Sequence, residues 1–350
     1  MNAGIPGDST RRTVALALAA GATLVLGLGL PPAALAQAQT PAPTQPAAPA
    51  RTFDAFLLEV RAEALGRGIR PQTLDAALTG IQPLARVIEL DRAQPEFTLT
   101  FEQYLNGRVT EARVARGKQL LDENRELLAR VEAKYGVQPR FIVALWGLES
   151  DFGRVTGGFS VIQALATLAY DDRRSAYFRR ELLSALTIID QGHITAASMR
   201  GSWAGAMGQA QFMPSTFLNA AADFDGDGKR DIWTNKADVF ASAAQLLARN
   251  GWQGDQTWGR PVKLPDNFDV TLAGLNTQKA IGEWQDLGVR RPDGADLPTR
   301  QLQSSIVLPQ AGSKTPAYLV YGNYRSLLRW NNAALFAVAV GTLADRIGDG

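Results

Sequence analysis

Apolar side chains recur at three- and four-residue spacing through Phe53-Asp54-Ala55-Phe56-Leu57-Leu58-Glu59-Val60, and Leu120, Leu121, Leu127, Leu128 and Val131 repeat the rhythm. That spacing predicts helices throughout the stretch from Phe53 to about Arg140. Pro139 suits the first turn of a further helix, which sets Phe141, Ala144, Leu145 and Leu148 on one stripe. Helical patterning returns over 162–169, 175–191 and 236–249, and Asn250-Gly251 supplies a stop for the last. Between Pro261 and Pro316 the character changes, with prolines and glycines punctuating short runs. Ser305-Ile306-Val307-Leu308 there, and Ala317-Tyr318-Leu319-Val320 just after, read as strands. A final helix is predicted from Asn332 to Ile347, and no repeat of fixed period runs through the chain. The expectation is a mainly α (α+β) protein with a small β-containing part.

The first residues follow a different logic. Arg11 and Arg12 precede an apolar run from Val14 to Leu30, which exits through Pro31-Pro32 and Ala34-Leu35-Ala36. A basic start, an apolar middle and a small-x-small end predict a secretory signal peptide over residues 1–36. Cleavage there removes two Arg and one Asp, leaving 34 basic and 33 acidic residues. The competing reading is a retained membrane anchor, which the small-residue exit disfavours. Residues 37–52, rich in Ala, Pro, Gln and Thr, form an extended linker. The expectation is a soluble periplasmic protein with no membrane anchor after signal cleavage.

Composition removes several chemistries. A net charge of +2 gives no electrostatic reason to expect nucleic acid as a partner. With no cysteine and the single His193, thiol catalysis, serine–histidine triads and multi-histidine zinc sites lack their parts. His193 reads as a loop residue.

Carboxylates remain. Glu149 follows an apolar helix stripe with Trp146 and Phe152 close in sequence, so burial would raise its pKa and make it a proton donor near neutral pH. Cleaving a glycosidic bond needs such a donor, because the leaving oxygen must be protonated as the bond breaks. Asp151 is disfavoured as a second catalytic carboxylate, since a helix rotates it about 200° from Glu149. The stretch Gly201 to Ser215 interleaves Gly, Ala and Ser with amide groups, so Ser202, Gln209 and Gln211 are candidates for binding sugar hydroxyls; tight packing explains the same composition. Finally, Asp223, Asp225 and Asp227 occupy positions 1, 3 and 5 of a calcium-type loop with Gly228 at position 6 and the Lys229 carbonyl at 7. Position 12 is Thr234, where such loops carry Glu. A structural Ca2+ is expected, with no cofactor for catalysis.

The words "GLESDFGRV", "ALATLAYDDRRSAYF", "GSWAGAMGQAQFMPST", "DFDGDGKRDIW" and "YGNYRSLLRWN" occur in that order. Together they resemble the lytic murein transglycosylase B family over roughly Phe53 to Ile347. The resemblance implies a lysozyme-like catalytic core over 141–260 with the calcium-type loop. Around it stand an N-terminal helical domain at 53–140, a small β-containing subdomain at 261–316 and a C-terminal helical part at 317–350. It implies that peptidoglycan glycan strands are the partner, while protein partners stay undefined. Glu149 would be the catalytic acid/base, cleaving the MurNAc-(1,4)-GlcNAc bond without water and leaving a 1,6-anhydromuramic acid end. The sugar's own N-acetyl group would stabilise the anomeric centre. Ser202 and Gln211 would lie in the cleft beside Glu149, and Tyr104, Tyr177, Trp330 and Asn331 would line it. Asp238 would supply the missing calcium ligand. The pattern departs from the family at Gln245-Leu246, where Asn-Tyr is frequent, and no separate wall-binding module follows the core. The alternatives are a hydrolytic muramidase and a catalytically inactive glycan-binding envelope protein.

Overall fold

A computed structural model describes residues 52–93, 99–171, 173–310, 312–313 and 316–348. The predicted signal peptide and nearly all of the linker lie outside the described residues. Helices α1 (Phe53–Gly66), α2 (Pro71–Leu78) and α3 (Ala85–Ala93) come first, and Thr52 caps α1 by accepting a hydrogen bond from the Ala55 amide at 3.2 Å. Then follow α4 (Phe101–Arg108), α5 (Glu111–Glu123), α6 (Arg125–Tyr135) and α7 (Pro139–Ser150). Thr100 and Gln103 form a reciprocal capping box at the start of α4. The short strands β1 (Phe159–Ser160) and β2 (Arg200–Gly201) pair antiparallel around α8 (Val161–Tyr170) and α9 (Ser175–Asp190). Next come α10 (Pro214–Ala220) and α11 (Lys236–Arg249).

The β-containing part holds β3 (Gly259–Val262), β4 (Lys279–Ala280), α12 (Ile281–Asp286), β5 (Gln303–Val307) and β6 (Ala317–Val320). Its strands form an antiparallel sheet in the order β3-β6-β5-β4. Helices α13 (Gly322–Trp330) and α14 (Ala334–Gly348) close the chain. Both predicted strands and the helices read from periodicity are present. Helix α13 escaped that reading because its buried face is part polar. Asn323 donates to the Gln253 and Gln256 carbonyls at 2.9 Å, and Ser326 donates to that of Asn250 at 2.9 Å. Satisfied buried polar groups of this kind leave no hydrophobic signal.

Apolar side chains gather into three cores among the described residues. The first joins α4–α7, α11, α13 and α14, the second joins α1–α3 with α8–α10, and the third fills the sheet subdomain. The stretch expected as one helical domain, 53–140, is therefore divided: α1–α3 pack with the second core and α4–α6 with the first. Helix α7 is also more buried than one stripe requires. Ile142, Val143 and Trp146 are as enclosed as Phe141 and Leu145, because α5, α6, α11 and α14 surround it. Each such side chain contributes roughly 1.5–3 kcal/mol on burial, so α7 is a rigid post for whatever its end carries.

Candidate active site

Glu149 stands in the last turn of α7, and the chain leaves the helix at Asp151. Asp151, Phe152 and Gly153 all adopt left-handed backbone, with φ of 51°, 60° and 81°. Left-handed backbone costs a non-glycine residue about 1–3 kcal/mol, so neighbours must enforce it. The Phe152 ring is buried edge-on against Trp146 at 5.6 Å, filling the space left by the missing side chain of Gly147. Asp151 pairs with Arg113 at 3.5 Å and with Arg154. Asp151 thus lies outside the helix, where these two arginines hold its carboxylate.

The carboxyl of Glu149 meets Trp330 at the end of α13. The indole N–H donates to Glu149 Oε1 at 2.7 Å, across 181 residues of sequence. Trp330 packs against both helical cores and stands edge-on to Phe212 at 5.4 Å, so its ring has little freedom to move away. Behind Glu149 lies a cavity of only about 10 Å³, walled by Ile142, Leu145, Val239 and Phe240 among others. A space of that size holds one water at most. Burial in these apolar surroundings pushes the Glu149 pKa up to about 7, while the Trp330 hydrogen bond and the Arg108 charge pull it the other way. At neutral pH the group exists in both protonation states, as an acid/base requires.

Of the other residues singled out in the sequence, Gln209 lines that cavity, whereas Ser202, Gln211, Tyr104, Tyr177 and Asn331 do not. Ser202 heads the turn after β2, where its hydroxyl accepts from the Ala206 amide at 3.0 Å. Gln211, at φ 49°, donates from its amide nitrogen to the Thr156 and Gly208 carbonyls at 3.1 and 2.8 Å, which directs its Oε1 to other donors. Tyr104, on α4, has the Arg108 guanidinium 5.5 Å from its ring, and Arg108 is the cation that Glu149 senses. Tyr177 is exposed on α9 against Phe178, and Asn331 is exposed at the end of α13. Gln209 is not free to bind sugar. Its Oε1 accepts from the Trp146 indole at 2.8 Å and its amide nitrogen donates to the Trp233 carbonyl at 2.7 Å. The glycines serve packing of backbone on backbone: a Cβ on Gly157 would fall 2.1 Å from the Gly201 oxygen, and one on Gly201 would fall 2.2 Å from that of Ala206. Sequence reasoning missed Gln209 as a brace and Arg108 as a local charge, since neither carries a distinguishing pattern.

The acidic loop lies between α10 and α11. Carboxylate oxygens of Asp223, Asp225 and Asp227 come within 4.8 Å of one another. Backbone amides organise them, those of Gly226 and Gly228 donating to Asp223 at 2.7 and 2.9 Å. No lysine or arginine among the described residues forms an ion pair with the three, so a divalent cation with hard oxygen ligands suits them. Asp238, from α11, approaches the loop from its other side. It is fully buried on α11, and its two oxygens accept from the Phe224 and Asp231 amides, each at 2.7 Å. It clamps the loop to the helix and stands outside the converging set.

A family model of the transglycosylase SLT domain matches residues 52–345. The chain is 30% identical over 252 residues to the membrane-bound lytic murein transglycosylase B of Escherichia coli (strain K12), a match covering 68% of this chain and 65% of that relative's length. The crystal structure of SltB3 from Pseudomonas aeruginosa in complex with NAG-anhNAM-pentapeptide is similar at a TM-score of 0.83 and 45% identity, covering 86% of this chain and 80% of that one. The Escherichia coli lytic transglycosylase Slt35 in complex with calcium is similar at a TM-score of 0.71 and 26% identity, covering 83% and 92%.

Proposed function

The chain belongs to the transglycosylase SLT domain family, and on that premise we propose that it cleaves the MurNAc-(1,4)-GlcNAc bond of peptidoglycan without water, using Glu149 as its one catalytic carboxyl. The observation that carries this reading is the half-buried Glu149 carboxyl, raised to about 7 and held at Oε1 by the Trp330 N–H. With Oε1 accepting that bond, the proton of the acid form resides on Oε2. Oε2 gives it to the bridging oxygen as the bond from the anomeric carbon breaks. The resulting carboxylate then takes the proton of the muramic acid 6-hydroxyl, whose oxygen bonds to the same carbon. One proton leaves Glu149, one returns, and the product is a 1,6-anhydro end. The sugar's acetamido group stabilises the anomeric centre meanwhile, so no second carboxylate is required. A hydrolytic muramidase would need one aimed at the anomeric carbon. The relative SltB3 binds NAG-anhNAM-pentapeptide, a product of the anhydro type. Ser202, Gln211, Tyr104, Tyr177, Trp330 and Asn331 form the glycan cleft around Glu149 in this reading. Export to the periplasm, where the substrate lies, agrees with the signal-like first 36 residues.

Incubating the purified protein with intact sacculi is expected to release muropeptides lighter by one water than hydrolysis products. Mass spectra showing reducing ends in their place would assign the chain to the muramidases.

In the same reading Asp223, Asp225 and Asp227 hold a structural Ca2+, with the Lys229 carbonyl as a further ligand, and Asp238 supports the loop from behind. Slt35, the relative bound to calcium, favours this assignment. Ca2+ at about ten times its Kd is expected to stabilise the fold by about 1.4 kcal/mol, because the ion binds only the folded loop. Melting curves in CaCl2 and in EDTA check this, and Asp225→Asn should abolish the difference. Identical curves for the wild type would remove the ion from the account.

A further inference from the structure

Glu149 is bracketed along the chain by two residues that share one neighbour. Trp146, about one turn earlier on α7, donates from its indole nitrogen to Gln209 Oε1 at 2.8 Å. Gly153, just after the helix, lies against the same amide: a Cβ there would clash with Gln209 Oε1 and fall 2.8 Å from its Cδ. Any larger residue at 153 would displace Gln209. Glycine at φ 81° leaves room for both the turn and the amide.

The amide is fixed at its other end as well. Its nitrogen donates to the Trp233 carbonyl at 2.7 Å, and the Gln209 backbone N–H donates to the Ile232 carbonyl at 2.8 Å. Both acceptors belong to the segment between the acidic loop and α11. Gln209 thus ties the end of α7 to a separate stretch of chain, and it shares with Glu149 and Trp146 the wall of the small cavity behind the carboxyl. A neutral amide accepts and donates at once, which is what this position demands. Without it the buried Trp146 N–H loses its acceptor and draws in a water, for which the cavity has just enough room. The charged groups around this spot are Glu149 and the arginine-paired Asp151 on the α7 side, Lys236 on α11, whose ammonium stands 5.9 Å from the Trp146 ring, and Asp231, which accepts from the Trp233 amide.

We propose that Gln209 is a positioning residue for the reaction: without touching the glycan, it fixes the last turn of α7 and keeps water out of the space behind the Glu149 carboxyl. The inference rests on the function proposed above.

Two variants test it on solubilised peptidoglycan strands. Gln209→Met keeps the volume and removes both side-chain hydrogen bonds. It is expected to lower kcat about tenfold with KM unchanged, the size of one lost buried hydrogen bond. The basic limb of its pH profile should move downward, because a water behind Glu149 stabilises the carboxylate. Gln209→Glu is the conservative variant. Protonated, it still accepts from Trp146 and donates to the Trp233 carbonyl; ionised, it turns an oxygen lone pair on that carbonyl. At pH 5 it is expected to regain most of the activity that Gln209→Met lacks, and to lose it again relative to wild type by pH 8. Wild-type kcat in Gln209→Met, or a loss carried by KM with the limb in place, overturns the positioning role, the latter result making Gln209 a glycan ligand. Should Gln209→Met fail to fold, the second variant decides alone: a ratio to wild type that stays constant from pH 5 to pH 8 overturns the role. A wild type that leaves the strands uncut overturns the proposed function instead, so the two failures are distinct.

Discussion

Glu149→Gln is expected to lower turnover on peptidoglycan by about 10³–10⁴-fold, near the upper range for removing an acid/base group, while leaving glycan binding intact. The amide is the same size as the carboxyl and its oxygen still accepts the Trp330 N–H, so the site should keep its shape. It carries no transferable proton. The same variant has a signature in stability. Glu149 has a folded pKa of about 7 against an ordinary value of 4.5. A carboxyl with a raised folded pKa holds its proton more tightly when folded, so its contribution is fully favourable below about pH 4.5 and is lost as pH rises through about 7. The loss amounts to about 3 kcal/mol across that window. The variant lacks the titration, so its stability relative to wild type should rise by that amount between pH 4 and about 8. Other groups, Asp238 among them, titrate in both proteins and cancel in the difference. Chemical denaturation at several pH values measures it. A constant difference would mean that the carboxyl is solvated, and with that the proton-donor role would be lost.

Trp330→Phe should show the second largest effect, about a tenfold fall in kcat/KM together with a displaced pH profile. Phenylalanine keeps contact with Phe212 but has no N–H for Glu149 Oε1. A hydrogen bond to a charged group is worth about 1.5–3 kcal/mol, and here it favours the carboxylate, so its removal raises the Glu149 pKa. The activity that depends on the acid form should then persist to higher pH, moving the basic limb upward. The proton also loses its assignment to Oε2, which accounts for the slower rate at every pH. A role confined to stacking on sugar would raise KM and leave the limb in place, and that result would leave Trp330 a substrate-binding residue alone.

Much of the fold was legible because α-helical periodicity is a local property. Helices over 162–169, 175–191 and 236–249 needed only their own residues to be read, and the strands at 305–308 and 317–320 needed only theirs. The division of 53–140 between two cores was not legible. Apolar stripes state that a helix has a buried face and are silent about which neighbour covers it. Likewise α7 looked one-sided, because Val143 and Trp146 are apolar positions whose covering helices come from distant parts of the chain.

The site divides along the same line. Glu149 as the candidate acid, and Asp223, Asp225 and Asp227 as a cation loop, follow from residue type and spacing within a few positions, where chain geometry alone brings groups together. The partners that give those groups their chemistry are remote. Trp330 reaches Glu149 from 181 residues away, Gln209 braces Trp146, and Asp238 accepts two backbone amides of the acidic loop. Proton affinity depends on what surrounds a carboxyl in three dimensions, and hydrogen bonding depends on direction as well as identity. Order along the chain encodes which side chains are present, whereas packing decides which of them face one another, and the acid/base character of Glu149 belongs to the second of these.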